Sequence, residues 1–577
     1  MVDTSTIRSE RLSVAGAPRP SGRGAGALSR AHITAVTEQW LRDLWVEATT
    51  GHPEPLDPGP GIALACSGSL ARRESGPLSD LDLELLLDHR CRLGRDRVAE
   101  IAERLWYPIW DSRLGMDHAV RTIDQSRAAA RADLATAASA LDVRCVAGDD
   151  HVVSTLRGIL AADWRTDARK RLPELEESIR ARHARNGDLD QTLDPDLKEG
   201  NGGLRDMTVL RALAASWLAD YAHERAEPAH HLLLDTRDAL QVVTGRARNE
   251  LVLQEHDAVA ARLGLDTDEM LRRVSAGGHT VAHELQATLR RALQARAPRR
   301  GIPRRRPALR MLGDGCYVHE GEIVLGKGAD QDDPMLPLVL ARHAAAEDLP
   351  ISDITARNLA ARTPDLPTPW PTPALAALVA LLATGAPLLG VWDALDDAGL
   401  ISRWIPAWDG IHSRHQRNSL HRWTVDRHTL ECVILAAGMT DRVRRPDVLL
   451  LAALFHDIGK VAGARDHSAV GAGIARDALP RLGVDPDTRE TVVSLVRNHL
   501  ALAALASRED PEEPAAIERL CAVVDHDPEL LEQLATLTEA DARATGPGVW
   551  TTWRADRAQQ FVTAARRRLA EQTPATR

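Results

Sequence analysis

The sequence predicts a multi-domain α+β chain in which one small α/β domain precedes a mostly helical remainder, and three observations carry that reading. The chain has 577 residues, more than one hydrophobic core supports. Residues 59 to 123 alternate Gly/Pro or Ser/Gly turns with short apolar runs, as strands require. Most of the chain beyond residue 153 has apolar residues at helical spacing.

Taken in order, residues 1–30 are polar and rich in Gly and Pro and read as a mobile tail. AHITAVTEQWLRDLWVEA (31–48) places Ile33, Val36, Trp40, Leu44 and Trp45 near helical spacing. GPGIALACSGS then supplies a turn, a short apolar strand and a second turn, and LDLELLL and LGMDHAVRTI (114–123) are the next strand candidates. The small α/β domain therefore spans 31–153. From 154 to 310 the pattern is long and helical, interrupted by DPDLKEGNGGLRD (194–206), whose glycines break helix and whose Lys198, Arg205 and Asp206 suit a polar interface. RAPRRGIPRRRPALR (296–310) reads as an exposed basic linker rather than an anion-binding patch. A connecting region, 311–400, contains CYVHEGEIVLG, a hairpin around a Glu-Gly turn, and 401–577 returns to helix.

Composition narrows the function. Apolar content of 44% and charged content of 27% are ordinary for a globular chain. A net charge of −10 argues against wrapping nucleic acid, which needs an excess of Lys and Arg to displace counterions, so no nucleic-acid partner is expected. Six scattered cysteines without a CxxC indicate neither a zinc ribbon nor a disulfide scaffold. Neither a signal peptide nor a membrane-spanning run is evident, and a cytoplasmic location is the expectation.

Two stretches carry chemistry. In GSLARRESGPLSDLDLELLLD (68–88), strand alternation throws Asp80 and Asp82 to one face with Glu84 behind them, while Leu81, Leu83 and Leu85 face the core. Carboxylates so close repel unless cations lie between them, and hard oxygen ligands suit Mg²⁺ or Mn²⁺. Gly68 and Ser69 open a turn before a short helix that carries Arg72, where backbone N–H groups can meet phosphate. With Ser79 ahead of Asp80, the pattern resembles polymerase-beta-type nucleotidyltransferases. That resemblance implies Asp80 and Asp82 as metal ligands and Gly68, Ser69, Arg72 and Ser79 as the nucleotide-binding group. A third carboxylate is expected from a later strand, with Asp117 the candidate and Glu84 the fallback.

Downstream, His456 and Asp457 end an apolar run, where burying ionisable groups is costly without a ligand. His428, His456, Asp457 and Asp541 resemble the H…HD…D pattern of HD phosphohydrolases, and His467 and His499 are placed like the extra histidines of two-metal members. Such a donor set suits Mn²⁺, Fe²⁺, Zn²⁺ or Mg²⁺. Lys460 reads equally as a phosphate partner or a solvent-facing side chain.

Transferase before HD is the wrong order for ppGpp synthetase/hydrolases, and the long helical insert does not suit CCA-adding enzymes. The motifs GS…SDLDL, WDSRLGMDHAVRT, LKEGNGGLRD, DGCYVHEGEIVL, LHRWTVDRHTLE, LFHDIGK…DHSAVGA and LTEADARATGPGVWTTW together resemble, in order, the bifunctional PII uridylyltransferase/uridylyl-removing enzymes. The resemblance implies nucleotidyl transfer from UTP or ATP to a tyrosine of the PII signal protein and HD-catalysed removal. The Arg- and Ala-rich composition is similar to actinobacterial relatives that adenylylate PII, so the base stays open. Two alternatives are a nucleotidyltransferase/HD enzyme acting on RNA or a small molecule, and a non-catalytic PII-binding paralogue. Two departures stand out. Gly115 occupies a position where the family carries an acid. The glutamine-sensing ACT modules are not found before Arg577, so little response to glutamine is expected.

Overall fold

The computed structural model describes residues 6–17, 25–50, 59–296, 309–416 and 421–572. They fall into two compact units, Met1–Arg300 and Gly301–Arg577. Much of the basic stretch at 296–310 lies outside the described residues.

The first unit is built on a four-stranded mixed sheet of β1 (Ile62–Cys66), β2 (Leu81–Leu87), β3 (Met116–Thr122) and β4 (Arg144–Gly148), in the order β3-β2-β1-β4. β1 runs antiparallel to β2 and β4, and β2 runs parallel to β3. The sheet's two faces have different partners, because alternate residues of one strand point opposite ways. Leu81, Leu83 and Leu85 share a core with Ile101, Leu105 and Ile109 of the helix Arg95–Asp111. On the other face Ala63, Ala65 and Leu86 join Val152, Val153 and Leu156 and the helical remainder of the unit. Asp82 and Glu84 belong to this second face, so the acidic row looks toward the helices.

That shared core corrects the expected division at 153/154. The boundary falls inside one 37-residue helix, Asp150–Asn186, which leaves β4 directly and continues into the bundle. The α/β and helical regions are one unit because they bury one apolar surface together. The expected mobile tail is corrected as well. Residues Ile7–Gly16 form a helix with Ile7 and Arg11 buried, and the next helix starts at Ala25. Arg11 donates to the carbonyls of Gly76 (2.7 Å) and Ser79 (3.1 Å), tying this helix to the turn that leads into Asp80.

The second unit carries the hairpin where the sequence places it. β6 (Cys316–His319) and β7 (Glu322–Leu325) pair antiparallel, and β5 (Arg310–Gly313), which the apolar pattern did not reveal, adds a third strand. Cys316 and Ile323 enter the same core as the HD-region helices, so the region 311–400 packs with them. No helix among the described residues is long and apolar enough to cross a membrane.

Candidate functional site

In the first unit, register brings the acids together. β2 and β3 are parallel with Asp82 opposite Asp117, and Leu81 N–H donates to the Gly115 carbonyl at 2.9 Å. A β-carbon on Gly115 would lie 3.3 Å from that of Asp80, so a side chain there would press on the first aspartate. Asp117 thus offers a third carboxylate from the strand on which the resemblance expects one, while Gly115 leaves Asp80 its room. Burial first, then the charges of Asp80 and Asp117, push the Asp82 carboxyl up to about 6. Glu84 accepts a hydrogen bond from Ser126 Oγ at 2.6 Å and pairs with Arg121 at 3.4 Å.

Gly68 starts the short helix Gly68–Ala71 with φ +61°, and a β-carbon there would fall 2.2 Å from Asp82 Oδ2. Only glycine meets both demands. Ser69 Oγ lies 3.3 Å from Ser75 Oγ. Ser79 Oγ accepts the Gly76 N–H at 2.9 Å, and Arg72 donates to Glu74 (2.8 Å) and Asp142 (2.9 Å). Gly68, Ser69, Arg72 and Ser79 all line a cavity of about 910 Å³. Asp80, Asp82 and Asp117 line it too, as do Lys198 and Arg205 of the glycine-rich segment. The space is large enough for a drug-sized or nucleotide-sized ligand.

Sequence reasoning missed Glu74. Its carboxylate takes Arg72 Nε, Arg211 Nη1 at 2.6 Å and His230 Nε2 at 3.1 Å. Burial opposes its charge, but His230, Arg72 and Arg211 hold it well below the usual carboxylate range. Arg211 and His230 lie more than 130 residues away along the chain, and no local pattern marks them.

In the second unit, five helices and the turn after one of them converge. His428 sits in Val425–Ala437, His456 caps Pro446–Phe455 with Asp457 next, His467 opens His467–Ala478, His499 caps Pro486–Asn498, and Asp541 lies in Pro528–Thr545. They form two groups able to hold a metal: His428, His456 and Asp541, and Asp457, His467 and His499. His428 Nε2 is 3.0 Å from Asp541 Oδ1 and 3.2 Å from His456 Nε2. Asp457 faces both groups. Its Oδ2 lies 3.3 Å from His428 Nε2 and 3.4 Å from His456 Nε2, and its Oδ1 lies 3.7 Å from the Nε2 atoms of His467 and His499.

Further contacts orient the rings. His456 Nδ1 bonds the Ala453 carbonyl at 2.8 Å and His499 Nδ1 the Val496 carbonyl at 2.7 Å, which leaves each Nε2 lone pair pointing inward. His467 Nε2 and His499 Nε2 are buried without a hydrogen-bond partner. Facing imidazole nitrogens, orphaned nitrogens and a carboxylate with one oxygen toward each group fit divalent metal ions well. Without metal, burial disfavours the His456 charge, yet Asp457 and Asp541 raise its pKa to about 10.

Lys460 turns toward the cluster rather than freely into solvent. It is half-buried, with Nζ 2.7 Å from Asp457 Oδ2 and 2.8 Å from Gln416 Oε1. His421, the histidine that opens HRWTVDRH, lies 3.5 Å from Lys460 Nζ with its ring against His428. Burial, then Lys460, lowers its pKa to about 4, so it is neutral at pH 7.

Residues 171–293 match the family model described as GlnD PII-uridylyltransferase, and 425–527 match the HD domain. Asp541 lies beyond the second match and joins its cluster through the fold. The chain is 44% identical over 552 residues to the bifunctional uridylyltransferase/uridylyl-removing enzyme of Streptomyces coelicolor, covering 92% of this chain and 64% of that protein. It is 41% identical over 522 residues to the enzyme of that name from Mycobacterium tuberculosis, covering 88% and 64%. With that of Corynebacterium glutamicum it shares 38% identity over 492 residues, covering 85% of this chain and 70% of the relative. The chain therefore spans less than two thirds of the length of the first two. With this identity along most of its length, and with the acidic and HD clusters both in place, the chain belongs to the bifunctional uridylyltransferase/uridylyl-removing enzyme family.

Proposed function

We propose that the first unit transfers a uridylyl group from UTP to a tyrosine hydroxyl of a PII-type signal protein, and that the second hydrolyses the resulting phosphodiester. Both would operate in the cytoplasm, where nucleoside triphosphate is available. The observation that carries the reading is the meeting of Asp80, Asp82 and Asp117 on one wall of a cavity of about 910 Å³. A divalent ion such as Mg²⁺ or Mn²⁺ held by these acids supplies charge neutralisation to the triphosphate and acidifies an acceptor hydroxyl. The chain's own residues set the geometry: the paired strands hold the carboxylates in register, and Gly68 lets the following turn approach Asp82. In transfer, the tyrosine oxygen would bond to the α-phosphorus as the bond to the α,β-bridging oxygen breaks, pyrophosphate leaves, and the acceptor's proton passes to solvent.

For removal, His428, His456 and Asp541 on one side and Asp457, His467 and His499 on the other would hold metal, Mn²⁺ among the options. Metal there polarises the phosphodiester and lowers the pKa of water. Lys460 and neutral His421 stand beside the cluster, where they can donate hydrogen bonds to phosphate oxygens. The uridylyl donor follows the relatives' names.

The test supplies purified chain with a PII protein, Mg²⁺ or Mn²⁺, and radiolabelled UTP and ATP in parallel. PII labelled by UTP, and not by an Asp80→Ala, Asp82→Ala variant, supports the reading. Labelling by ATP alone changes the donor. Labelling by neither, or equal labelling by the variant, overturns it. A His456→Ala, Asp457→Ala variant is expected to label PII and fail to release the label.

A further inference from the structure

LKEGNGGLRD is built with more care than a connection between helices needs. Asp196 caps the backbone N–H groups of Lys198 (2.8 Å) and Glu199 (2.9 Å). Asp206, fully buried, receives Arg182, the Gly202 N–H at 2.7 Å and His183 Nε2 at 3.1 Å. Arg182 Nη1 also donates to the Glu199 carbonyl at 2.9 Å, and Asn201 Nδ2 to Asp188 at 2.9 Å. Gly202, at φ +88°, rests against Gly278, whose oxygen would be 2.2 Å from any β-carbon at 202. Backbone on both sides of Lys198 is thus held from helix ends and from a distant helix.

The payload of this scaffold is one cation. Among the cations lining the cavity, Arg72 is committed to Glu74 and Asp142, Arg182 to Asp206, Arg205 to Glu199 and Arg237 to Asp238. Arg121 pairs with Glu84, and Arg185 is exposed. Lys198 is half-buried and has no ion-pair partner within contact distance among the described residues. With no carboxylate paired to it directly, this ammonium is free to meet an anionic ligand. Its charge reaches Asp82 and favours the ionised carboxyl there. Three carboxylates already line the cavity, so a bound polyphosphate would add negative charge beyond what metal ions held there would cancel. An unpaired cation lining the same cavity would balance the remainder.

We infer that Lys198, held by the glycine-rich loop, binds the polyphosphate tail of the nucleoside triphosphate and so sets preference for triphosphate over monophosphate. The inference rests on the nucleotidyl-transfer reading of the cavity and assigns a role to a motif that the metal ligands leave unexplained. An ammonium serves here better than another guanidinium, because a flexible point charge can follow the phosphates as pyrophosphate separates. The rest of the loop contributes order: with its backbone pinned, Lys198 gives up less freedom on contact.

The test is calorimetric titration of the full chain with UTP, UMP and uridine in Mg²⁺, and with ATP, AMP and adenosine alongside. Lys198→Gln, which removes the charge at similar length, is expected to raise Kd for the triphosphate about tenfold or more and leave the monophosphate within about twofold. Lys198→Arg is expected to recover most of the loss. Undiminished triphosphate affinity in Lys198→Gln overturns the inference, as does equal loss for triphosphate, monophosphate and nucleoside, which would mark a structural or base-contacting role. If the wild-type chain binds no nucleoside triphosphate, the transfer reading itself fails and this inference falls with it.

Discussion

Asp82 has an acid on either side of it in space, Asp80 two residues back and Asp117 across the register, and its carboxyl is raised to about 6. A folded-state pKa above the ordinary 3.8 means the fold favours the protonated form. Ionised Asp82 therefore destabilises the metal-free protein above about pH 6, and the penalty is relieved as pH falls toward 4. Asp82→Asn is expected to stabilise the metal-free first unit by about 1 kcal/mol at pH 7.5 and to lower transfer about a thousandfold or more. Thermal unfolding with chelator and then with Mg²⁺ checks this: Mg²⁺ should raise the wild-type midpoint and hardly move the variant's. Asp80 and Asp82 stood out by alternation, and Asp117 through the resemblance that expects a third carboxylate from a later strand. The commitments of Ser79 to Gly76 and of Arg72 to Asp142 were not. Hydrogen-bond capacity is used up by whatever folds nearest, and Asp142 is 70 residues from Arg72.

Among the elements, Glu74 joins the turn after the short helix to the helices Leu204–Ala215 and His223–Thr244 through Arg211 and His230. Both Glu74 and His230 have depressed pKa values, His230 because burial excludes its charge. For each, the unfolded chain takes up its proton first. The stabilisation they contribute is whole above the unfolded values, is eroded as pH falls below about 6.5 through His230, and falls further below about 4.5 as Glu74 protonates. Glu74→Gln is expected to cost about 3 kcal/mol at pH 7, by leaving Arg211 with Glu227 alone, and to flatten the lower part of that dependence. Hydrogen exchange in the two helices, measured across pH 5 to 8 and at pH 4, reads both effects. Backbone amides of the two helices as protected in the variant as in wild type would show Glu74 to be dispensable. The strands β1 to β3, the β6–β7 hairpin and the long helices followed from periodicity; the helix Ile7–Gly16, β4 and the four-residue β5, too short and polar to announce itself, did not.

Among the described residues, one buried cluster comprises residues of the second unit and two comprise residues of the first. Each unit thus carries its own apolar driving force. Residues 301–577 alone are expected to fold and to bind two divalent ions per chain, and His467→Ala in that fragment to bind one. Circular dichroism and metal analysis check it; an unfolded fragment, or one binding no metal, would show that the second unit depends on the first. The order of residues was enough to place the α+β class, the succession of the two regions, the neighbouring aspartates Asp80 and Asp82, and the histidines and aspartates that gather in the second unit, because these depend on local alternation and on short motifs. Three-dimensional packing had to settle that the α/β and helical regions form one unit, that an N-terminal helix braces the turn before Asp80, and that Asp457 faces two groups able to hold a metal. Those outcomes arise from burial and contact between residues far apart along the chain, and such pairings leave no periodic trace in the order of amino acids.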